Sequence, residues 1–400
     1  MNNLIIGLGL VSLLAAQGCQ SIKQKQELTA DGQAPPTEVV LPFPEPEPIQ
    51  RELDEDLVYS YLVGEIGAHR GDLRTAQTHY MHAAILGQDA YAAERATRIA
   101  LHLRDYQGGL AAARRWVELA PNDMTARQLA AVLFLRNQQP DEAAGQLDAL
   151  VKIADARELD GFLQAAGALS VESDRAGAEQ LMLGLHERHP NDVRSLYALA
   201  VLEAAHRRFT EAEAHLRQVV GLEPDWEQPR ALLARVLVAQ NRRDEALAFL
   251  EASVRRQADS ALLHTTYARM LVDAADYQGA LEQFRKLSRL QPDDTELVFA
   301  YAMLATQQER WDEARPIWQK LRGDPDRRDE ASYYLAQIEE QEGNDELAIG
   351  LFGTVQGSEL EVDAVMRMAQ ILARNGRLEE AREALQRARI ANPGRAADLY

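Results

Sequence analysis

The chain of 400 residues has a single cysteine, Cys19, and a deficit of positive charge. With one cysteine, the chain can form neither an internal disulfide nor a zinc site built from several thiolates. Lysine and arginine together number 43 against 62 acidic residues, which gives a formal net charge of −19. Because like charges repel, duplex nucleic acid and anionic lipid surfaces are poor partners for such a chain.

The sequence also lacks the motifs that usually mark catalysis. No serine stands in a Gly-x-Ser-x-Gly sequence, and there is no glycine-rich phosphate loop. His186 and His189 are three residues apart, as are His79 and His82, whereas the zinc-protease helix places its two histidines four apart. Neither pair has a third ligand nearby in the sequence. We therefore expect no enzymatic activity, no metal, no cofactor and no small-molecule substrate.

What the sequence does have is a unit of about 34 residues that occurs ten times, with residues 261–292 as the clearest copy. The eighth position of the unit is small: Gly64, Thr97, Ala131, Ala166, Ala200, Ala234, Ala268, Ala302, Ala336 and Ala369. The twentieth position is small more strictly: Ala76, Gly109, Ala143, Ala178, Ala212, Ala246, Ala280, Ala314, Ala348 and Ala381. A large apolar residue often follows four positions later, and a proline closes several units.

Each unit contains two amphipathic patterns with apolar residues at i, i+3, i+4 and i+7, which predict two helices. Small residues where the two helices meet let their axes approach closely. This spacing resembles the tetratricopeptide repeat, over residues 57–395. The resemblance implies an all-α fold in which about ten helical hairpins stack into a right-handed superhelical solenoid, with one extended concave face.

Residues 1–19 have the features of a secretory signal. The apolar run from Leu4 to Ala16 is 13 residues long, too short to span a bilayer as a helix. Gln17 and then Gly18-Cys19 follow the run, and Gly–Cys after an apolar run resembles the lipobox of bacterial lipoproteins, where the cysteine is acylated. Gln20 rather than aspartate follows, and the resemblance then implies anchoring at the outer membrane, facing the periplasm. The alternative is an ordinary signal peptide with an incidental cysteine.

The rest of the chain divides into three segments. Residues 20–52 are polar, acidic and rich in proline, and we expect a disordered tether. The tether is either a spacer or a polyproline ligand for a partner's groove. Residues 53–395 hold the repeat array, and residues 396–400 look like the opening of an eleventh unit. Within the array we expect a looser junction near residues 154–156, which hold one extra residue, and Pro316 within about the first turn of a second helix.

In the tetratricopeptide family the inner wall comes from the first helix of each unit, chiefly from its second, fifth, ninth and twelfth or thirteenth positions. Carried over residue by residue, these positions form a candidate protein-binding groove: Arg194, Tyr197, Arg235, Arg269, Phe299, Met303, Tyr333, Gln337, Gln370 and Arg374. Arginine, tyrosine, phenylalanine and methionine are enriched in protein interfaces. The three arginines in consecutive units would form a basic stripe, unless each only pairs with a neighbouring acid.

A lipoprotein start, an acidic tether and a long repeat array together resemble bacterial outer-membrane repeat lipoproteins that are adaptors of carboxyl-terminal processing proteases. The stretches at residues 56–59, 93–100 and 116–121 carry this closer resemblance. It implies a non-enzymatic scaffold that binds a processing protease and presents substrates such as peptidoglycan hydrolases. Two alternatives stay open: a scaffold for outer-membrane assembly or secretion, and a scaffold for exopolysaccharide export.

Overall fold

The computed structural model describes residues 55–399, and the predicted lipobox cysteine Cys19 and the tether lie outside them. Over the described residues the chain forms twenty α-helices and no strand. The helices are α1 (Glu55–Arg70), α2 (Leu73–Leu86), α3 (Ala90–Leu103), α4 (Tyr106–Leu119), α5 (Met124–Arg136), α6 (Pro140–Asp155), α7 (Gly161–Leu169), α8 (Arg175–Arg188), α9 (Val193–Ala205), α10 (Phe209–Leu222), α11 (Glu227–Ala239), α12 (Arg243–Arg256), α13 (Ala261–Asp273), α14 (Tyr277–Leu290), α15 (Thr295–Gln307), α16 (Trp311–Leu321), α17 (Arg328–Gln341), α18 (Asp345–Phe352), α19 (Glu361–Arg374) and α20 (Leu378–Ala391), followed by a 3-10 helix, Pro393–Leu399. The odd-numbered helices are the first helices of the predicted hairpins and the even-numbered helices are the second.

Local sequence sets where the helices begin and end. An aspartate side chain accepts a hydrogen bond from a free backbone N–H in the first turn of many of them, as Asp105 does from Gly108 at 3.0 Å. Just before such a cap the backbone turns through the left-handed region, at Gly71, Arg104 or Ala275 for example. The turn inside a hairpin is therefore short, two or three residues in nine of the ten hairpins that the structure describes, which holds the two helices antiparallel and in contact.

The small residues of the repeat are buried, as the predicted contact between the two helices of each hairpin requires. All ten residues at the eighth position and all ten at the twentieth are buried. The large residues that follow are also buried, with Tyr80, Trp318 and Phe352 at 0% exposure. This confirms the all-α tetratricopeptide architecture, because small side chains let the paired helices approach and the large ones fill the space between them.

The described chain forms two compact units, residues 55–202 and residues 203–399. In the first unit the largest apolar cluster is built around Phe134, Leu147 and Phe162, and a smaller one surrounds Trp116. In the second unit the largest cluster holds Phe284 and Trp318. The cores consist largely of alanine and leucine, as expected for closely packed helical hairpins.

Three local features refine the expectations. After the junction at residues 154–156 the next first helix, α7, has only 9 residues and ends at Leu169. Pro316 is the sixth residue of α16, so it lies beyond the first turn, on the exposed side of the helix, where its missing N–H leaves one carbonyl of the preceding turn without its usual partner. Residues 396–399, expected to open another unit, belong to the terminal 3-10 helix.

Candidate protein-binding site

Five of the predicted groove residues occupy one position of the repeat in the second unit. Five consecutive first helices, α11, α13, α15, α17 and α19, each present their ninth position. We call these residues the position-nine row: Arg235, Arg269, Met303, Gln337 and Gln370. Arg235, Arg269 and Gln370 are exposed, whereas Met303 and Gln337 are half-buried. Because neighbouring packed helices lie about 8–10 Å apart, such a row matches an extended peptide better than a compact ligand.

The first two residues of the row are arginines, and they lie on adjacent first helices. The α11 and α13 helices, which carry Arg235 and Arg269, contact each other directly. Arg235 has no hydrogen-bond or ion-pair partner within residues 55–399. An unpaired guanidinium presents five N–H donors in a planar fork, which suits a carboxylate or a peptide carbonyl.

The other predicted arginines are bound to acids of the chain itself. Arg194 donates to Asp192 at 2.6 Å and to Asp155 at 2.9 Å, and its guanidinium lies over the Phe162 ring at 5.4 Å. These hydrogen bonds raise the pKa of Arg194 above its ordinary value and lower the pKa of Asp192. Arg374 pairs with Asp345 at 2.6 Å. Arg194 therefore is not a free basic group.

The three predicted aromatic residues are largely buried. Tyr197, Phe299 and Tyr333 are each exposed by less than a tenth of their surface. Phe299 lies edge-on against Trp318 with ring centroids 5.5 Å apart, and the guanidinium of Arg327 covers it at 4.4 Å. These rings are therefore packed beneath the surface of the candidate groove, and a partner could contact only a small part of each.

The structure also contains a cleft that the repeat pattern did not predict. It has a volume of about 710 Å³ and lies between the loop after α4 and the loop before α7. Met124, Leu159 and Gln164 are among its lining residues. Arg157 bridges its edge by donating to the Asn122 carbonyl at 2.8 Å. The extra residue near 154–156 was the only sequence signal for this cleft, and that signal does not indicate a binding role.

The two histidines of the pair at residues 186 and 189 have structural partners. His186 Nδ1 lies 2.7 Å from the Ser195 hydroxyl, and His189 Nε2 lies 3.2 Å from Asp148. No group of three or more metal-ligating side chains occurs between residues 55 and 399. In the same part of the chain, no helix is both long and apolar enough to cross a bilayer.

The fold and the position-nine row thus define a helical-repeat scaffold that presents a row of polar side chains and one methionine on its surface. The profiles of the family described as "Tetratricopeptide repeat" match residues 163–229, 203–270, 265–328, 302–358 and 353–396, which together exceed half of the chain. The chain belongs to the tetratricopeptide repeat family. Such repeats are scaffolds for protein–protein interaction, and this is the general function of the chain.

One curated relative is the "TPR repeat-containing protein PA4667" of Pseudomonas aeruginosa, 28% identical over 251 residues. The match covers 63% of this chain and only 42% of that protein. Among solved structures, yeast Tom70 matches with a TM-score of 0.31 and 14% identity, over 81% of this chain and 97% of that one. YrrB, "a TPR protein with an unusual peptide-binding site", matches with a TM-score of 0.37 and 20% identity, over 44% and 92%.

Proposed function

We propose that this protein is a non-catalytic adaptor of the bacterial envelope that brings a carboxyl-terminal processing protease and its substrates together. The observation that carries the proposal is the position-nine row, which presents polar side chains and a methionine on consecutive hairpins of a repeat scaffold, with Arg235 lacking a bonded partner within residues 55–399. The N-terminal stretches that resemble the lipoprotein adaptor LbcA point to a protease of the processing class. Peptidoglycan hydrolases are the proposed substrates.

The proposed anchor is an acylated Cys19 at the outer membrane, with the array facing the periplasm. An acyl chain holds the scaffold at the membrane, while the tether allows the array to reach away from it. At ~3.1 Å per residue in extended polyproline geometry, residues 20–52 could span roughly 100 Å. The membrane would then confine the protease to the zone that contains peptidoglycan.

The proposed mechanism is proximity. A substrate and a protease on one body meet at a high effective concentration, so cleavage proceeds faster without any catalytic residue in the scaffold. The net charge of −19 disfavours anionic surfaces and favours partners with basic segments. Arg235 and Arg269 are local exceptions that would select an acidic group or a carboxyl terminus in the bound segment.

The test is affinity capture from a cross-linked envelope fraction, comparing the wild type with the Arg235→Glu/Arg269→Glu variant. The matched control is Arg243→Glu/Arg328→Glu, which makes the same charge change at the exposed first residues of α12 and α17. A glutamate there is compatible with a helix N-terminus. We expect the wild type and the control to retain a processing protease together with cell-wall hydrolases.

We expect the position-nine variant to lose at least one of these partners roughly tenfold, which corresponds to about 1.4 kcal/mol. Equal capture by both variants would exclude the row as the binding surface. Capture of barrel-assembly, secretion or polymer-export subunits without a protease would replace the adaptor proposal with a scaffold for those machines.

A further inference from the structure

The first helix of the array, α1, carries an apolar stripe that faces solvent. Tyr59, Leu62 and Ile66 are exposed by 60%, 58% and 48%. Their spacing of i, i+3 and i+7 places them on one face of the helix. Large apolar side chains in contiguous exposed positions usually mark a surface that something else covers.

Two of these three positions, those of Tyr59 and Ile66, are covered in most of the later hairpins. Tyr59 is the third residue of its repeat and Ile66 the tenth. The residues at the third position of later units are buried: Ala92, Ala126, Gly161, Ser195, Pro229, Leu263, Leu297, Ala331 and Ala364. At the tenth position the buried residues are Leu133, Leu202, Val236, Met270, Leu304, Ile338 and Ile371.

The contact that buries this face is visible at the first junction. Ala92 of α3, which corresponds to Tyr59, lies in one apolar cluster with Ala83 and Ala84 of α2. The face of a first helix is thus the surface on which the preceding hairpin stacks. On α1 it lacks that cover within residues 55–399, and Tyr59 is much larger than Ala92, its counterpart on α3.

The chain just before α1 supplies an apolar segment of suitable length. Residues 39–43 read Val-Val-Leu-Pro-Phe and stand among acidic and proline residues. Eleven residues separate Phe43 from Glu55. At ~3.1 Å per residue they reach roughly 34 Å, more than the length of ~10 Å that seven residues of helix occupy.

We propose that residues 39–43 pack on the stripe formed by Tyr59, Leu62 and Ile66 and cap the first hairpin of the array. Covalent linkage gives this segment a higher effective concentration at α1 than a separate partner would have. A proline-containing extended segment also suits an aromatic surface such as the Tyr59 ring. The cap involves neither the position-nine row nor a second protein, so it can be tested separately from the proposed adaptor function, and it leaves residues 20–38 as the free part of the tether.

The first test is proximity cross-linking in the full chain with Cys19→Ser, so that only introduced thiols react. One variant carries Leu41→Cys with Leu62→Cys on the stripe. The control carries Leu41→Cys with Thr78→Cys, on the exposed side of α2 in the same hairpin. With a short bismaleimide we expect at least fivefold more intramolecular product for the stripe pair. Equal yields would overturn the proposal, and a covalent dimer would show that a second copy covers the face.

The second test is hydrogen–deuterium exchange, read over α1. The variant Val39→Asp/Leu41→Asp/Phe43→Asp should exchange several-fold faster in α1 than the wild type, because charged residues cannot remain on an apolar stripe. The control Ile22→Asp/Leu28→Asp adds charge elsewhere in the same segment of the chain and should leave α1 unchanged. If α1 exchanges at the wild-type rate in both variants, the segment does not cover it.

Discussion

Replacing Glu172 with alanine should lower the local stability around the short helix α7 in the first unit. The loss should exceed that from removing the same charge at any surface position. Glu172 stands in the loop after α7, and its carboxylate is almost fully buried. It accepts two hydrogen bonds from Arg136 at the end of α5, both at 2.8 Å. The Arg136 guanidinium also lies 4.8 Å from the centre of the Tyr106 ring. The hydrogen bonds to Glu172 raise the pKa of Arg136.

The size of the effect follows from what remains after the change. Removing one partner of a buried ion pair costs about 3–5 kcal/mol when the other charge stays buried. The Arg136 side chain is 25% exposed, so water can solvate part of it and the Tyr106 contact persists. We therefore expect a loss of about 2 kcal/mol in the free energy of local opening, which is roughly a 30-fold change in the opening constant.

The assay is native-state hydrogen exchange over α7 and the end of α5, because a repeat array need not unfold in one step. Glu118→Ala is the matched control: it removes the same charge from a pair with Arg115 in which Glu118 is 63% exposed. That control should change exchange by less than about threefold, since exposed pairs contribute 0–1 kcal/mol. The double variant Glu172→Leu/Arg136→Leu should recover most of the loss. Equal exchange in Glu172→Ala and Glu118→Ala would refute the reasoning.

Three further predictions concern stability and are read from thermal or urea unfolding. Gly145→Ala on the open side of α6 should stabilise by about 0.5–1 kcal/mol, whereas Gly161→Ala should destabilise, because its new methyl group would lie 2.5 Å from a backbone atom of α6. Trp318→Leu should cost about 2–4 kcal/mol, since it opens a cavity and removes the hydrogen bond that the indole N–H donates to the half-buried Thr306 hydroxyl. The hydrogen bond to Glu203 at 2.8 Å raises the pKa of His215, so this contact should stabilise below about pH 6.5 and fade as pH rises through the folded-state pKa.

Each of these predictions has an outcome that contradicts it. The glycine argument fails if both alanine variants shift the melting temperature in the same direction. Wild-type stability in Trp318→Leu would mean that the large position does not fill the space between hairpins. For His215→Gln, the stability deficit relative to wild type should be larger at pH 6 than at pH 8.5. A deficit that grows with pH would show that the neutral imidazole is the form the fold favours.

The sequence predicted the architecture because the architecture depends on short-range periodicity. A small residue at each helix contact is required in every hairpin, so the same signal repeats and can be read in register. Burial of residues such as Ala246 and Ala314 follows directly from that register. The aspartate caps and tight turns are also local signals, and they fix the helix boundaries.

The candidate site was less predictable because it depends on how deeply each side chain is buried and on ion pairs between residues that are far apart in the chain. Repeat position shows which face Phe299 and Tyr333 share, but not that neighbouring side chains cover them. The pairing of Arg194 with Asp155 joins residues 39 apart in the chain, and Arg136 with Glu172 joins residues 36 apart. No local pattern indicates such pairs. Repeat position therefore predicts which residues line the candidate groove, whereas the structure shows that Arg235 among them has no bonded partner within residues 55–399.

The most direct test of the adaptor proposal is the lifetime of a captured peptidoglycan hydrolase in cells. Its half-life would be measured after synthesis is blocked, in strains with wild-type protein, without the protein, and with Arg235→Glu/Arg269→Glu. The proposal predicts a half-life several-fold longer without the protein, restored by wild type and not by the position-nine variant. An unchanged half-life in the strain that lacks the protein would contradict the claim that it delivers substrates to a protease.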